Sequence, residues 1–430
     1  MRGICVIGAG HVGLVTGACL ADLGNRVVCM DDDVAKIEML KAGAMPFYEP
    51  GLEELVHHNV ESGRFSFTTS VLEGAKDADT IFICVGTPQR PGGEADPSYV
   101  EAASKRIAEV MDDYKVIVGK STVPVKTGQW IRRTIELNVA KGCHFDVVSN
   151  PEFLREGKAI HDFMHPDRIV LGVETQRAAD AMIELYKPLK APVIVTNIET
   201  AELIKHACNV FLAMKISYAN TIANICEKVG ADVVKVVEAM GHDTRIGRDF
   251  LNAGVGYGGY CFPKDLAAFI SVADELGCDS AILRAIQRVN DSQPELFVRK
   301  VKKALWNLSG KTIGVLGLSF KPDTDDMREA PSVKIIGRLQ EEGVRIKAYD
   351  PQAMDNAAKI LKNVQYCATP YEAAKGSDAL IILTEWPEFG TLDLKKIKRL
   401  VQQPIILDGR NIFDPTRMKK LGFVYYGVGR

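Results

Sequence analysis

Apolar residues fall into two rhythms along this chain. Short runs at residues 3–7, 26–30, 80–85, 115–118 and 145–148 are almost continuously apolar, and stretches of helical period separate them. Continuous runs of that length, alternating with helices, predict a parallel sheet covered on both faces. The last third repeats the order. Residues 311–317 echo the first run, 344–350 the second, 378–384 the third and 404–408 the fourth. Asp350 closes its run as Asp31 closes its counterpart. Two doubly wound α/β domains of similar topology follow from this repetition.

The middle of the chain has a different texture. Residues 200–229 contain no glycine or proline and place Ala, Ile, Leu and Asn at helical spacing. At about 1.5 Å per residue that is roughly 45 Å of helix. Apolar positions on several of its faces predict a central connecting helix, buried by both domains and by a second subunit. The glycine-rich stretch 241–265 reads as a long loop, and loops of that length are usually functional.

Composition narrows the picture further. Of 430 residues, 47% are apolar, and 55 acids against 53 bases leave a net charge of −2. A disordered chain is excluded, and nothing points to nucleic acid or an anionic membrane as partner. No apolar stretch approaches the roughly 20 residues of a membrane span. The start, Met1-Arg2-Gly3-Ile4-Cys5-Val6-Ile7-Gly8, runs directly into a strand and a glycine turn, so a cytoplasmic protein without a signal peptide is expected. Ten cysteines at irregular spacing, with no C-x-x-C pair, predict thiols rather than disulfides and no metal site.

The chemistry gathers at a few segments. Gly8-Ala9-Gly10-His11-Val12-Gly13 is a G-x-G-x-x-G turn. It follows a strand, opens a helix and has Asp31 about 20 residues on, which is the Rossmann dinucleotide arrangement. Asp31 would accept hydrogen bonds from the adenosine ribose, and Asp32 and Asp33 beside it would repel a 2′-phosphate, which favours NAD over NADP. Val85-Gly86-Thr87-Pro88 and Lys120-Ser121-Thr122-Val123-Pro124 lie at carboxyl ends of strands, the ligand edge of an open sheet. Thr87 and Thr122 are either ligand contacts or ordinary turn residues.

Cys261 lies in Gly258-Gly259-Tyr260-Cys261-Phe262-Pro263-Lys264-Asp265. Pro263 fits the first position of a helix, which puts Cys261 just before a helix N-terminus with Lys264 near it. Both features favour a reactive thiolate over an inert core thiol. Lys205 and Asn209, four apart, share one helix face. Lys205 is either a snorkelling surface residue or an oriented cation, and spacing alone favours the surface. Glu152 and Glu156, in Asn150-Pro151-Glu152-Phe153-Leu154-Arg155-Glu156-Gly157, read as ligand contacts or, more commonly, as a solvated helix start.

Together these segments resemble the UDP-glucose/GDP-mannose dehydrogenase family, over the whole chain and with the motifs in order. Phe320-Lys321-Pro322-Asp323-Thr324-Asp325-Asp326-Met327-Arg328-Glu329 and Leu407-Asp408-Gly409-Arg410 complete the set. The resemblance implies two Rossmann-like domains joined by a long central helix. It divides the chain into an NAD-binding domain at 1–199, a central dimerisation domain with the cysteine loop at 200–300 and a UDP-sugar domain at 301–430. It implies a homodimer, NAD as cofactor and UDP-glucose as substrate, oxidised to the glucuronate through a cysteine thiohemiacetal and thioester.

In that reading Cys261 is the nucleophile, Lys205 and Asn209 face the oxyanion, and Asp265, Thr122 and Glu152 position and activate water. Cofactor contacts are Gly8, Gly10, Val12, Gly13, Asp31, Lys36, Thr87, Thr122, Glu156, Lys264 and Arg328. Substrate contacts are Glu152, Phe153, Leu154, Arg155 and Glu156, then Phe250, Leu251, Asn252, Ala253, Gly254 and Gly258, with Lys205, Asn209, Lys321 and Arg410. Arg245 reaches a neighbouring subunit's substrate. Two positions depart from the family pattern: His11 stands where Tyr is frequent, and Tyr260 where Ser is common. The alternatives are GDP-mannose or a UDP-N-acetylhexosamine as substrate, a two-electron dehydrogenase, and a catalytically inactive nucleotide-binding scaffold or sensor.

Overall fold

The computed structural model describes residues 2–90, 93 and 95–430, and Met1, Pro91, Gly92 and Glu94 lie outside the described residues. Two compact units make up the chain. One comprises Met1–Cys208 with Ala267–Glu275, the other Asn209–Leu266 with Leu276–Arg430.

The first unit is built on eight strands: β1 (Gly3–Ile7), β2 (Arg26–Met30), β3 (Phe65–Thr68), β4 (Thr80–Ile83), β5 (Lys115–Gly119), β6 (Phe145–Ser149), β7 (Ile169–Gly172) and β8 (Val193–Thr196). Their order is β3-β2-β1-β4-β5-β6-β7-β8. The first six are mutually parallel, whereas β7 runs antiparallel to β6, meeting it at Ser149 and Gly172. The doubly wound, mostly parallel sheet expected from the sequence is present, with one antiparallel pairing at this edge. The connection from β6 to β7 holds the six-residue helix Ala159–Met164.

Alternate residues of the buried strands feed opposite faces. Ile4 and Val6 pack with Leu14, Val15 and Ala18 of the first helix, while Cys5 and Ile7 pack with Val100, Ile107, Ile131 and Ile135. Both faces are covered, which is why the run carries no polar residue.

The second unit contains β9 (Thr312–Leu316), β10 (Arg345–Tyr349), β11 (Val364–Tyr366), β12 (Ala379–Ile382), β13 (Ile405–Asp408) and β14 (Val424–Tyr426). Their order, β11-β10-β9-β12-β13-β14, is that of the first six strands of the other sheet, and every pairing is parallel. The turn after β9 also copies the first. Gly317 takes φ +89° as Gly8 takes +104°. Asp350 accepts from the amides of Leu318 (2.7 Å) and Ser319 (3.1 Å), but it is wholly buried and also takes the Trp386 indole N–H at 3.1 Å. With that acid sealed and no second glycine turn, this repeat lacks the dinucleotide features of the first.

The long helix spans Ile198–Val229, 32 residues. Its residues through Cys208 belong to the first unit and those from Asn209 to the second. Ala219, Ala223 and Cys226 are buried in the second unit's core, where small side chains let the helix pack closely. The loop after Gly241 ends sooner than expected, because a helix spans Cys261–Glu275. Cys261 is thus the first residue of that helix rather than the residue before it, and Pro263 is the third, inside the turn whose N–H groups have no helical acceptor.

Candidate active site

The glycine turn is shaped by three different demands. A Cβ on Gly8 would press on the Cys84 carbonyl oxygen at 2.7 Å, and one on Gly13 would collide with the Gly8 carbonyl. Gly10 faces open space, with nothing within 4 Å of such a Cβ. Gly10 caps the helix His11–Asp22 with no side-chain bond, so its first N–H groups remain available to an anion. Asp31 closes the turn: Oδ2 accepts from the Ala9 amide at 2.7 Å and Lys36 Nζ at 3.0 Å, and Oδ1 from the Asp33 amide at 3.0 Å. Burial pushes its carboxyl up, but those bonds outweigh burial and hold it below the usual range. The three neighbouring acids do not act as one block. Asp32 pairs with Arg106 at 2.5 Å, and Asp33 caps the next helix through the Lys36 amide. Val12 is half-buried in the first helix.

Thr87 is buried and donates its hydroxyl to the Thr122 carbonyl at 2.8 Å, so one bond ties the ends of β4 and β5. Thr122 is half-buried. Two residues not singled out from sequence hold the segment after it. Glu202 accepts from the amides of Lys126 (2.6 Å) and Gly128 (2.8 Å), and the His206 ring meets the Val123 carbonyl at 2.8 Å.

The segment after β6 is not a solvated helix start. Glu152 is 5% exposed, and its Oε1 accepts from Lys205 Nζ at 2.8 Å while Oε2 accepts from the Leu154 amide at 2.5 Å. Lys205 is 3% exposed, so the surface alternative for it fails. Its ammonium lies 5.5 Å from the centroid of the Phe153 ring, and the Arg168 guanidinium lies 3.8 Å from the same centroid. Arg155 is exposed and grips Asp162. Glu156 is half-buried, and Gly157 and Ala159 give their amides to the buried Glu49 at 2.6 and 2.8 Å. His11 Nε2 meets that same carboxylate at 3.0 Å, which is how this chain uses the histidine.

In the second unit a separate network surrounds the cysteine helix. Asp265 is fully buried; Oδ2 accepts from Asn209 Nδ2 at 2.6 Å and Oδ1 from Lys264 Nζ at 2.8 Å. Cys261 is half-buried at the helix N-terminus. Burial pushes the thiols of Cys5, Cys19 and Cys84 up to about 12 and keeps them inert. Tyr260 stacks under two cations, with the Arg328 guanidinium 4.4 Å and Lys264 Nζ 5.4 Å from its ring centroid. A Cβ on Gly258 would collide with the Glu329 carbonyl, so that glycine serves close backbone packing.

Phe250 adopts φ +64°, Leu251 and Ala253 are buried, Asn252 accepts from Arg248, and the Gly254 amide donates to Asn220 at 2.8 Å. Arg410 fans its guanidinium over the carbonyls of Leu383 (2.8 Å), Gly256 (3.1 Å) and Phe320 (3.2 Å), the pattern of a structural clamp. Lys321 is half-buried with Nζ 5.6 Å from the Phe320 ring centroid, and Arg245 is exposed and bound to Asp243 at 2.6 Å. Among the described residues no group of three His, Cys, Asp or Glu side chains is arranged to hold a metal.

Comparison with known proteins matches three stretches to one family: its NAD binding domain at residues 2–190, its central domain at 199–292 and its UDP binding domain at 314–415. The chain belongs to the UDP-glucose/GDP-mannose dehydrogenase family. It is therefore an NAD-dependent dehydrogenase, and the glycine turn with Asp31 fits that dinucleotide. UDP-glucose 6-dehydrogenase TuaD of Bacillus subtilis is 50% identical over 100% of this chain and 94% of its own length. A UDP-glucose dehydrogenase structure from Pyrobaculum islandicum is 41% identical, covers 100% of this chain and 98% of that one, and superposes with a TM-score of 0.93. A UDP-D-ManNAc dehydrogenase structure from Pyrococcus horikoshii is 30% identical, covers 100% and 99%, and has a TM-score of 0.88.

Proposed function

We propose that this chain oxidises the 6-hydroxymethyl group of UDP-glucose to the carboxylate of UDP-glucuronate. The observation that carries the chemistry is Cys261. It is a half-buried thiol opening a helix whose fifth residue, Asp265, is fully buried and binds both Lys264 and Asn209. Burying that carboxylate among polar partners is costly for stability alone, which favours a functional reason for it.

NAD, when bound, supplies the hydride acceptor for both oxidations. The chain's own residues handle charge and the reactive carbon. Lys205 and Asn209 stabilise negative charge on the C6 oxygen. The Cys261 sulfur bonds to the aldehyde carbon and gives a thiohemiacetal, so the half-oxidised sugar is not released. Its oxidation leaves a thioester. Water, losing its proton to a carboxylate of Glu152 or Asp265, displaces the sulfur and releases the acid. Two NADH should form per UDP-glucose. A Cys261→Ser variant should bind both ligands and form no acid in steady state, and full acid formation by it would overturn the assignment. Running UDP-glucose beside GDP-mannose and the UDP-N-acetylhexosamines decides the substrate, and preference for another nucleotide would replace this reading.

The assembly is a homodimer through the long helix. Phe211, Tyr218 and Ile225, seven residues apart, form an apolar stripe, each more than half exposed, with Val229 one turn beyond. That spacing suits a helix–helix seam, which supports the dimer reading. No helix of the described residues is long and apolar enough to cross a membrane. Ten free cysteines suit the cytoplasm.

A further inference from the structure

Cys261 is flanked in sequence by two aromatic residues, each held in place by its ring. Tyr260 precedes it and is half-buried. The Arg328 guanidinium lies 4.4 Å from the Tyr260 ring centroid and Lys264 Nζ lies 5.4 Å from it. Arg328 also donates to Asp326, from Nε at 2.9 Å and from Nη2 at 2.7 Å. Lys264 comes from the first turn of the cysteine helix and donates to Asp265 at 2.8 Å. The Gly259 amide donates to the Arg328 carbonyl at 2.9 Å, so backbone joins the same two segments. On the other side of Cys261, Phe262 meets the rings of Phe250 and Tyr257, with centroids 6.1 and 5.8 Å away. Asn290 fixes the Tyr257 backbone, accepting from its amide at 2.8 Å and donating to its carbonyl at 3.1 Å.

The two flanks are held in different ways. Phe262 is held by apolar packing, which a large aliphatic side chain supplies in part. Tyr260 is held through its π face, which attracts cations and has no aliphatic substitute. Two cations at one ring repel each other, but each brings a carboxylate, Asp326 with Arg328 and Asp265 with Lys264. The ring thus draws together the helix turn 261–265 and the segment 326–328. Ser, the common residue of the family at this position, has no π face, so the clasp is a feature of this chain.

We infer that Tyr260 is a positioning residue for Cys261: its ring clasps Lys264 and Arg328 and so fixes the first turn of the helix that carries the sulfur. Its effect falls on the oxidation that needs the sulfur, not on hydride transfer between the C6 alcohol and the coenzyme. This rests on the reading of Cys261 as the nucleophile. The 6-aldehyde of UDP-glucose separates the two steps. Given NADH, it is reduced: hydride adds to the aldehyde carbon, a proton adds to its oxygen, and UDP-glucose and NAD⁺ form without the sulfur. Given NAD⁺, it is oxidised. Sulfur bonds to the aldehyde carbon, hydride leaves that carbon for NAD⁺, and water displaces the sulfur to give the carboxylic acid, NADH and a proton.

The test is the ratio of the oxidation rate to the reduction rate of that aldehyde, at saturating coenzyme and on one preparation of the full chain. Tyr260→Leu keeps bulk and loses the π face, and should lower the ratio about tenfold, the order of loss that a small misplacement of a reacting atom causes. Tyr260→Phe keeps the π face and should stay within about twofold of the wild-type ratio. A folding defect removes active molecules and lowers both rates alike, so it does not move the ratio. If Tyr260→Leu is not recovered folded, Tyr260→Ser takes its place with the same expectation. An unchanged ratio in the folded variant overturns the inference, and so does a loss in Tyr260→Phe equal to that in Tyr260→Leu. A wild type that reduces the aldehyde yet makes no acid from it would instead overturn the reading of Cys261, and this inference with it.

Discussion

Removing Lys205 should damage stability and chemistry by separable amounts. Lys205→Met takes the ammonium away from the Glu152 carboxylate, which is 5% exposed and also accepts from the Leu154 amide. Breaking a buried pair from one side costs about 3–5 kcal/mol, because a charge stays buried without its counterion. In a unit of this size each kcal/mol lowers the midpoint by about 2–4 °C, so the single variant should melt about 10 °C early. The double variant Lys205→Met/Glu152→Gln removes both charges and should recover most of that loss, since replacing a whole buried pair is often neutral. Turnover should not recover. A cation stabilising a developing oxyanion is worth about 10²–10³ in rate, and the double variant still lacks it. Differential scanning fluorimetry and NADH release on the same preparations measure both quantities. A single variant as stable as the wild type would show that the pair is not buried and charged as described. A double variant with wild-type turnover would refute the catalytic role of both residues.

Glu202 should give the first unit a pH-dependent stability. Burial raises its carboxyl to about 7, against the amide bonds from Gly128 and Lys126 that lower it. A raised folded value means proton uptake on folding, so the contribution, up to about 3 kcal/mol, is full below the unfolded value near 4.5 and disappears as pH rises through 7. Glu202→Gln should flatten the thermal midpoint across that window, and an unchanged slope would exclude the group. Gly13→Ala forces a Cβ onto the Gly8 carbonyl and should weaken NADH binding at least tenfold in fluorescence titration; wild-type affinity would show that the turn relaxes freely. Tyr218→Glu places a charge in the middle of the exposed stripe and should halve the mass measured by light scattering, whereas a wild-type chain that is already monomeric removes the stripe's meaning.

How much of this was legible in the sequence depended on whether a residue's role was local. The glycine turn, Asp31 and the repeated strand pattern were readable because each is set by its immediate neighbours and a fixed spacing. Strands β3, β8, β11 and β14 were not. They are edge or near-edge pieces of three or four residues, too short for a period, and β8 and β11 are partly solvated. Lys205 was ambiguous because its partner Glu152 is 53 residues away, and only the fold brings a carboxylate to it. Glu49 and Glu202 were missed for the same reason. Each spends its carboxylate on amides more than 70 residues distant, and an isolated acid in a sequence gives no sign of that. Arg410 carries a further role that its motif does not announce: its guanidinium donates to three carbonyls distant in the chain.

The buried charges can be ranked by what they are for. Asp350 and Asp408 are wholly buried, yet each is surrounded by backbone amides and aromatic donors that fix turns in the second unit. Amide donors stabilise a carboxylate without burying a second charge, which is an economical way to hold a loop. Glu152 and Asp265 differ, because each takes an ammonium as well, from Lys205 and Lys264, and so each site carries the desolvation of two ions. An amide would have held either carboxylate for less. What an ammonium adds is a charge able to answer a change of charge on a bound molecule, the condition that a reaction passing through oxyanions imposes. On the proposed reading, the two pairs are the places where structure would be given up for chemistry.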